Sequence, residues 1–140
     1  MFRRSFILSL PASGGPLDSP RTPSQGVPEE VVRRFIRECV QGGRLDLART
    51  LLHPGYVCHE GGETVTREEW LTSYREFLRR HPDLTVAMLD VLPSGDFVAW
   101  RWRMEARDLS VHGINIERVR SGRIAETWTV AAPLQPAGTV

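Results

Sequence analysis

At 140 residues the chain has room for one domain with a real hydrophobic core, with no need of disulfide or metal staples. A quarter of its residues are charged, 41% are hydrophobic and the formal net charge is +1. That balance gives no electrostatic ground for nucleic acid or an anionic membrane surface as a partner. No run approaches the ~20 apolar residues of a membrane-spanning helix.

Residues 1–27 carry Pro11, Gly14, Gly15, Pro16, Pro20, Pro23 and Gly26 among Ser and Thr. Such a segment buries too little apolar surface to offset its ordering entropy and is expected to be a disordered tail. Met1-Phe2-Arg3-Arg4 followed by Phe6 to Leu10 imitates a signal peptide. Its apolar stretch stops at Pro11, at or below the short end of the usual ~7–15 residues. The domain is expected over residues 28–132, with a C-terminal tail over 133–140.

Pro28, Glu29 and Glu30 suit a helix start. Val31, Val32, Phe35, Ile36, Cys39 and Val40 recur at helical spacing before Gly42-Gly43 ends the run. A shorter helix follows with Leu45, Leu47, Ala48, Leu51 and Leu52 on its apolar side, stopped by Pro54-Gly55. Tyr56 to His59 reads as a short strand or extended turn. Thr66-Arg67-Glu68-Glu69 is a capping box. It opens a third helix with Trp70, Leu71, Tyr74, Phe77 and Leu78 as its stripe, closed by His81-Pro82-Asp83.

The period then changes to two. Leu84–Leu92 is a strand and Pro93-Ser94-Gly95-Asp96 a turn. Val98, Trp100, Trp102 and Met104 alternate with Ala99, Arg101, Arg103 and Glu105, the pattern of a half-buried strand. Val111–Arg120 is the next strand, with Ile114 and Ile116 on one face. Ser121-Gly122 turns the chain into Arg123–Ala131, where Ile124, Trp128 and Val130 share a face. Helices followed by an antiparallel meander predict an α+β fold with the helices on one side of the sheet. Cys39 falls on the helix and Cys58 in the strand, without CxxC or zinc-site spacing. They read as two small buried thiols of a reducing, cytoplasmic compartment.

Several segments together resemble the SnoaL-like polyketide cyclase and ester cyclase group of the NTF2-like superfamily. They are Leu51 to His59, His81-Pro82-Asp83-Leu84, Gly95-Asp96-Phe97-Val98, Gly113 to Arg118, and Ser121 to Trp128 with its Glu-x-Trp ending. The resemblance covers about residues 28–131. It implies an NTF2-like cone, with N-terminal helices packed on a curved antiparallel sheet around a small-molecule pocket, and a cofactor-free proton-transfer chemistry. Polyketide cyclases of the group use an aspartate four residues after the terminal tryptophan; counting from Trp128 gives Ala132, which transfers no proton. The Gly-Thr-His stretch of those enzymes falls near Glu105-Ala106-Arg107, ahead of a shortened connection.

His59, placed by the resemblance at the pocket wall, is a candidate acid/base, or else a histidine bonded to backbone at a strand end. Tyr56 offers a hydroxyl to a carbonyl or enolate oxygen, or is a core residue. His112 is a candidate replacement for the histidine of the shortened hairpin, unless a one-residue slip turns it to the other face. Glu126 is read either with Trp128 at the pocket or as a partner of Arg118 or Arg123. Glu105 and Arg103 are expected to point to solvent. Trp70, Trp100, Trp102, Met104, Ile114 and Trp128 are the candidate ligand-binding wall. No HExxH, histidine–carboxylate cluster or phosphate loop is present, so no metal and no cofactor are expected. The function expected is binding of a hydrophobic, carbonyl-bearing small molecule, with cyclisation, isomerisation or dehydration if it is an enzyme. The alternatives are a non-catalytic ligand-binding or regulatory module, and a homodimeric scaffold using an outer sheet face with Arg101, Arg103, Asn115 and Glu117.

Overall fold

The structure, a computed structural model, describes residues 27–134. Most of the expected tails, including the stretch resembling a signal peptide, lies outside the described residues. Helix α1 (Pro28–Arg34) has Pro28 in its first turn and Glu29 and Glu30 beside it, and it runs on as a π-helical segment, Phe35–Gln41. Phe35, Ile36, Cys39 and Val40 of that segment are all buried. The widened turn leaves no mark in the apolar spacing, so a single ordinary helix is what the sequence suggests. Gln41 ties the segment to the sheet, donating from Nε2 to the Leu84 carbonyl at 3.0 Å and accepting from the Val86 N–H at 2.6 Å. Gly42 ends it where a Cβ would stand 2.5 Å from the Glu38 carbonyl oxygen.

Helix α2 (Leu45–Leu51) passes directly into strand β1 (Leu52–Glu60), so Leu52 belongs to the sheet and the strand is longer than the expected Tyr56–His59. Pro54 and Gly55 fall within a register shift between β1 and its neighbour rather than at a helix stop. A short strand, β2 (Glu63–Thr66), is added to the expected set. Thr66 then caps helix α3 (Arg67–Arg80) reciprocally with Glu69, as the capping box requires.

Strands β3 (Thr85–Ser94), β4 (Phe97–Ala106), β5 (Leu109–Arg120) and β6 (Arg123–Pro133) form the meander. The sheet order is β2-β1-β6-β5-β4-β3. The β1–β6 pair is parallel and the others antiparallel, so the sheet is mixed rather than wholly antiparallel as expected. The reason is connectivity: α3 lies between β2 and the meander, so β6 returns to β1 without a hairpin. Ser121 and Gly122, both with positive φ (53° and 74°), make the tight β5–β6 turn. Three helices thus cover one face of an open six-stranded sheet. Val32, Leu52, Leu71, Val98 and Ile124 are sealed between the layers.

Cys39 and Cys58 are both buried free thiols. Burial pushes the Cys58 thiol up to about 11. No helix among the described residues is long and apolar enough to cross a membrane.

Candidate functional site

A cavity of about 210 Å³ lies between the helices and the covered face of the sheet. Phe35, Ile36 and Val40 of the π-helical segment line one side, and Trp70, Tyr74 and Phe77 of α3 another. The α3 rings follow one helical stripe: Trp70 stacks on Tyr74 with centroids 4.8 Å apart, and Tyr74 on Phe77 at 5.6 Å. Tyr74 has no hydroxyl to spare, because it donates to the Val40 carbonyl at 2.6 Å. That bond anchors α3 to the π-helical segment.

The sheet side is polar where it is deepest. Trp100, Trp102 and Met104 of β4 face inward, and so do their neighbours in register on β5. Trp100 pairs with Asn115, Trp102 with Gly113, and Val98 with Glu117. Gly113 is required there: a Cβ would stand 2.3 Å from the Trp102 ring and 2.5 Å from the Val130 carbonyl oxygen. Thr127, Thr129 and Ala131 of β6 complete this wall, with Tyr56, Cys58 and Glu60 of β1 beside them.

Glu117 is the charged group of the interior, only 2% exposed. Its Oε1 accepts from Trp100 Nε1 at 3.0 Å and from Asn115 Nδ2 at 3.1 Å. Its Oε2 accepts from the Thr127 hydroxyl, which in turn accepts from the Tyr56 hydroxyl at 2.9 Å. Asn115 cannot turn its amide over, since its Oδ1 already accepts from Trp102 Nε1 at 2.8 Å and Thr129 Oγ1 at 2.7 Å. No Lys, Arg or His lines the cavity among the described residues. Burial without a counter-charge therefore raises the Glu117 carboxyl above its ordinary value, and the bonds from Thr127, Trp100 and Asn115 only moderate the effect. Burial likewise holds the Tyr56 phenol well above its usual range, helped by the Glu117 charge.

Of the residues singled out in the sequence, Tyr56, Trp70, Trp100, Trp102 and Met104 line the cavity. Ile114 and Trp128 do not: they lie on the opposite, uncovered face, 55% and 37% exposed. His59 also points away from the cavity lining. Its Nε2 pairs with Glu126 Oε2 at 2.6 Å, and its ring stacks on Trp128 at 5.3 Å. Glu126 is further held by Arg118 at 3.1 Å, one of the alternative partners the sequence left open for it. The His59 bond and the Arg118 bond and charge keep its carboxyl low. His112 is exposed on the outer face, paired in register with Arg103 and Ala132. Asn115 and Glu117, expected on the outer face with Arg101 and Arg103, are inside instead. On β5 and β6 the reason is that the outward residues are the apolar ones, and alternation alone does not say which face is covered; on β1, Tyr56, Cys58 and Glu60 face the cavity, so His59 between them faces out.

Ala132 belongs to that outer face too, because Ala131, its neighbour, is the one that lines the cavity. The carboxyl that reaches the interior comes from β5. Sequence reading missed Glu117, Asn115 and Thr127. The available signal was Gly113 opposite a tryptophan, which fixes the parity of β5 once the register is known.

Helices on one face of an open mixed sheet, enclosing an aromatic cavity with one buried carboxyl, define a small-molecule-cavity protein of NTF2-like fold. Residues 32–127 match the family model of the SnoaL-like domain, and the chain belongs to that family. Among solved structures it is similar to a loop-truncation variant of IdmH, at 28% identity and TM-score 0.69, covering 74% of this chain and 91% of that one. Wild-type IdmH of Streptomyces antibioticus, named as a polyketide cyclase candidate, gives 26% identity, TM-score 0.67 and the same coverage. A SnoaL-like protein of Jannaschia sp. CCS1, at 19% identity and TM-score 0.68, shares the fold over 81% of this chain and 91% of its own. A search of curated proteins finds no match.

Proposed function

We propose that this protein is a cofactor-independent enzyme that binds a small hydrophobic carbonyl compound and moves a proton on it through Glu117. The observation that carries this reading is a carboxyl sealed among aromatic rings with no cation beside it among the described residues. Such a group is poised between its acid and base forms nearer to neutral pH than an exposed glutamate, which suits general acid/base work. Trp100, Trp102, Trp70 and Met104 form the apolar wall for the ligand, and Tyr56 stabilises its oxygen. At about 210 Å³, the cavity is below the ~300–1,000 Å³ typical of drug-sized ligands. The ligand is therefore compact, or extends past the mouth beside Glu60. The polyketide cyclase name of IdmH supports cyclisation as the reaction class; isomerisation and dehydration use the same proton transfers.

His59 and His112 are left out of this machinery on grounds of direction, and the outward Ala132 is no ground for reading lost chemistry. Conversion of a panel of small aromatic and polyketide-like ketones, followed by mass spectrometry, tests the assignment. Glu117→Gln should lose roughly 10²–10⁴ in rate, while His59→Ala keeps its rate and pH profile. A Glu117→Gln variant that keeps its rate would remove Glu117 from the role.

The uncovered sheet face carries Leu92, Phe97, Ile114, Ile116, Trp128 and Val130, an apolar patch that a lone chain would leave wet. Arg101–Asp90 and the His59–Glu126–Arg118 group bring charges of both signs onto the same face, which lets it meet its own copy about a two-fold axis. A homodimer is the assembly this supports. Sedimentation should show a dimer that Ile116→Glu converts to monomer; a wild-type monomer overturns it.

A further inference from the structure

We infer that Glu117, Thr127 and Tyr56 form a reversible hydroxyl row, in which a proton taken up by Glu117 turns the Tyr56 O–H outward to the ligand's oxygen. This rests on the proton-transfer reading above and assigns Thr127 as its positioning residue. Glu117 Oε1 faces two N–H groups, from Trp100 and Asn115. An indole N–H never accepts, and the Asn115 amide is locked by Trp102 and Thr129. A proton on Glu117 has a reversible partner only at Oε2, and that partner is Thr127.

With Glu117 ionised, Thr127 donates to it and Tyr56 donates to Thr127. The Tyr56 oxygen then offers only lone pairs to the cavity. With Glu117 protonated, its O–H donates to Thr127, the Thr127 hydrogen swings to the Tyr56 oxygen, and the Tyr56 hydrogen is released toward the cavity that Tyr56 lines. When the carboxylate removes a proton from the carbon beside a ligand carbonyl, the C–H bond breaks and an O–H bond forms on Glu117. The electron pair moves through the carbonyl to its oxygen. Once that new O–H has turned from the ligand to Thr127, the row reverses and the Tyr56 donor holds the negative charge on the ligand oxygen. The ionised row instead suits a ligand that donates, such as an enol. Among the described residues, the other titratable groups facing this row are Cys58 and Glu60 of β1 and Tyr74 of α3, with the Cys58 thiol within hydrogen-bond reach of Tyr56 and competing with the ligand oxygen for its hydrogen. Tyr74 is occupied by the Val40 carbonyl.

The test needs no ligand, because the chain has only two tyrosines. Protein labelled with ¹³C at tyrosine Cζ and glutamate Cδ is titrated by NMR, with Tyr74 as internal control. The Tyr56 Cζ signal should move with the Glu117 Cδ midpoint while Tyr74 stays still. Thr127→Ser should keep the coupled step, Thr127→Val should at least halve it, and Glu117→Gln should hold Tyr56 flat at its low-pH position. A flat Tyr56 signal while Glu117 titrates, or a full-sized step in Thr127→Val, overturns the row. The two readings fail separately. A raised Glu117 midpoint with a silent Tyr56 sinks only the row, whereas an ordinary Glu117 midpoint sinks the acid/base assignment.

Discussion

Gly113→Ala probes how the fold builds the site. The added methyl would stand 2.3 Å from Trp102 Cζ2, where ordinary van der Waals contact begins near 3.4 Å. The ring cannot simply tilt to the other side, because the Val130 backbone carbonyl stands 2.5 Å from the same methyl. Either the indole retreats into the cavity or the β5–β6 ladder opens. Overpacking of this kind costs about 1–3 kcal/mol, and a clash with both ring and backbone belongs in the upper half of that range. For a domain of about this size, a loss of about 2–3 kcal/mol lowers Tm by roughly 8–24 °C. Urea unfolding followed by tryptophan fluorescence measures the loss. Near-UV circular dichroism reports whether Trp102 has moved. Displacement of that indole also frees Asn115, so the Glu117 carboxyl loses a fixed donor and rises further. A stability change below about 0.5 kcal/mol with an unchanged near-UV spectrum would refute the packing argument.

Three more outcomes follow from the same geometry. The Glu117 carboxyl is raised in the folded protein, so the folded state holds its proton more tightly than the unfolded chain. Its contribution to stability is full below the unfolded value near ~4.3 and declines as pH rises through the folded one. Glu117→Gln should remove that decline from urea midpoints measured across the range; an unchanged slope assigns it to another group. Tyr56→Phe removes one buried donor and should cost about 1 kcal/mol in urea unfolding, with ligand affinity for ketones falling more than stability does. His59→Ala should let the Glu126 carboxyl climb back toward its ordinary range, seen by NMR titration, while the Glu117 signal stays in place. A moved Glu117 signal would link the two faces of the sheet.

The helices and the meander were legible because their signals are local. Thr66 to Glu69 is a cap wherever it occurs, and Ser121-Gly122 is a turn on backbone grounds alone. The aromatic wall on α3 and β4 was legible for a related reason: one stripe and one alternating strand each have a single strongly apolar side. On β5 and β6 both sides are plausible. Ile114, Ile116, Trp128 and Val130 attract the eye as core, yet they form the uncovered face, and Asn115, Glu117, Thr127 and Thr129 line the cavity. Burying a carboxyl runs against ordinary hydropathy and is tolerated because three donors converge on it. Those donors come from β4, β5 and β6, so the network exists only once the register is set. The β6 parity also turned Ala132 away from the interior, and the alternation of β1 did the same for His59. The parallel β1–β6 pair was hidden because it depends on where α3 sends the chain, not on any residue in either strand.

Glu117 is a buried carboxyl without a counter-charge among the described residues, and it holds its proton above the ordinary carboxylate value. Infrared spectroscopy of the folded protein, titrated upward in pH, reads this proton. A protonated-carboxyl C=O band should persist after the exposed carboxyls have ionised and be missing from Glu117→Gln. Loss of every such band within the ordinary carboxylate range, with wild type and Glu117→Gln indistinguishable, would contradict it.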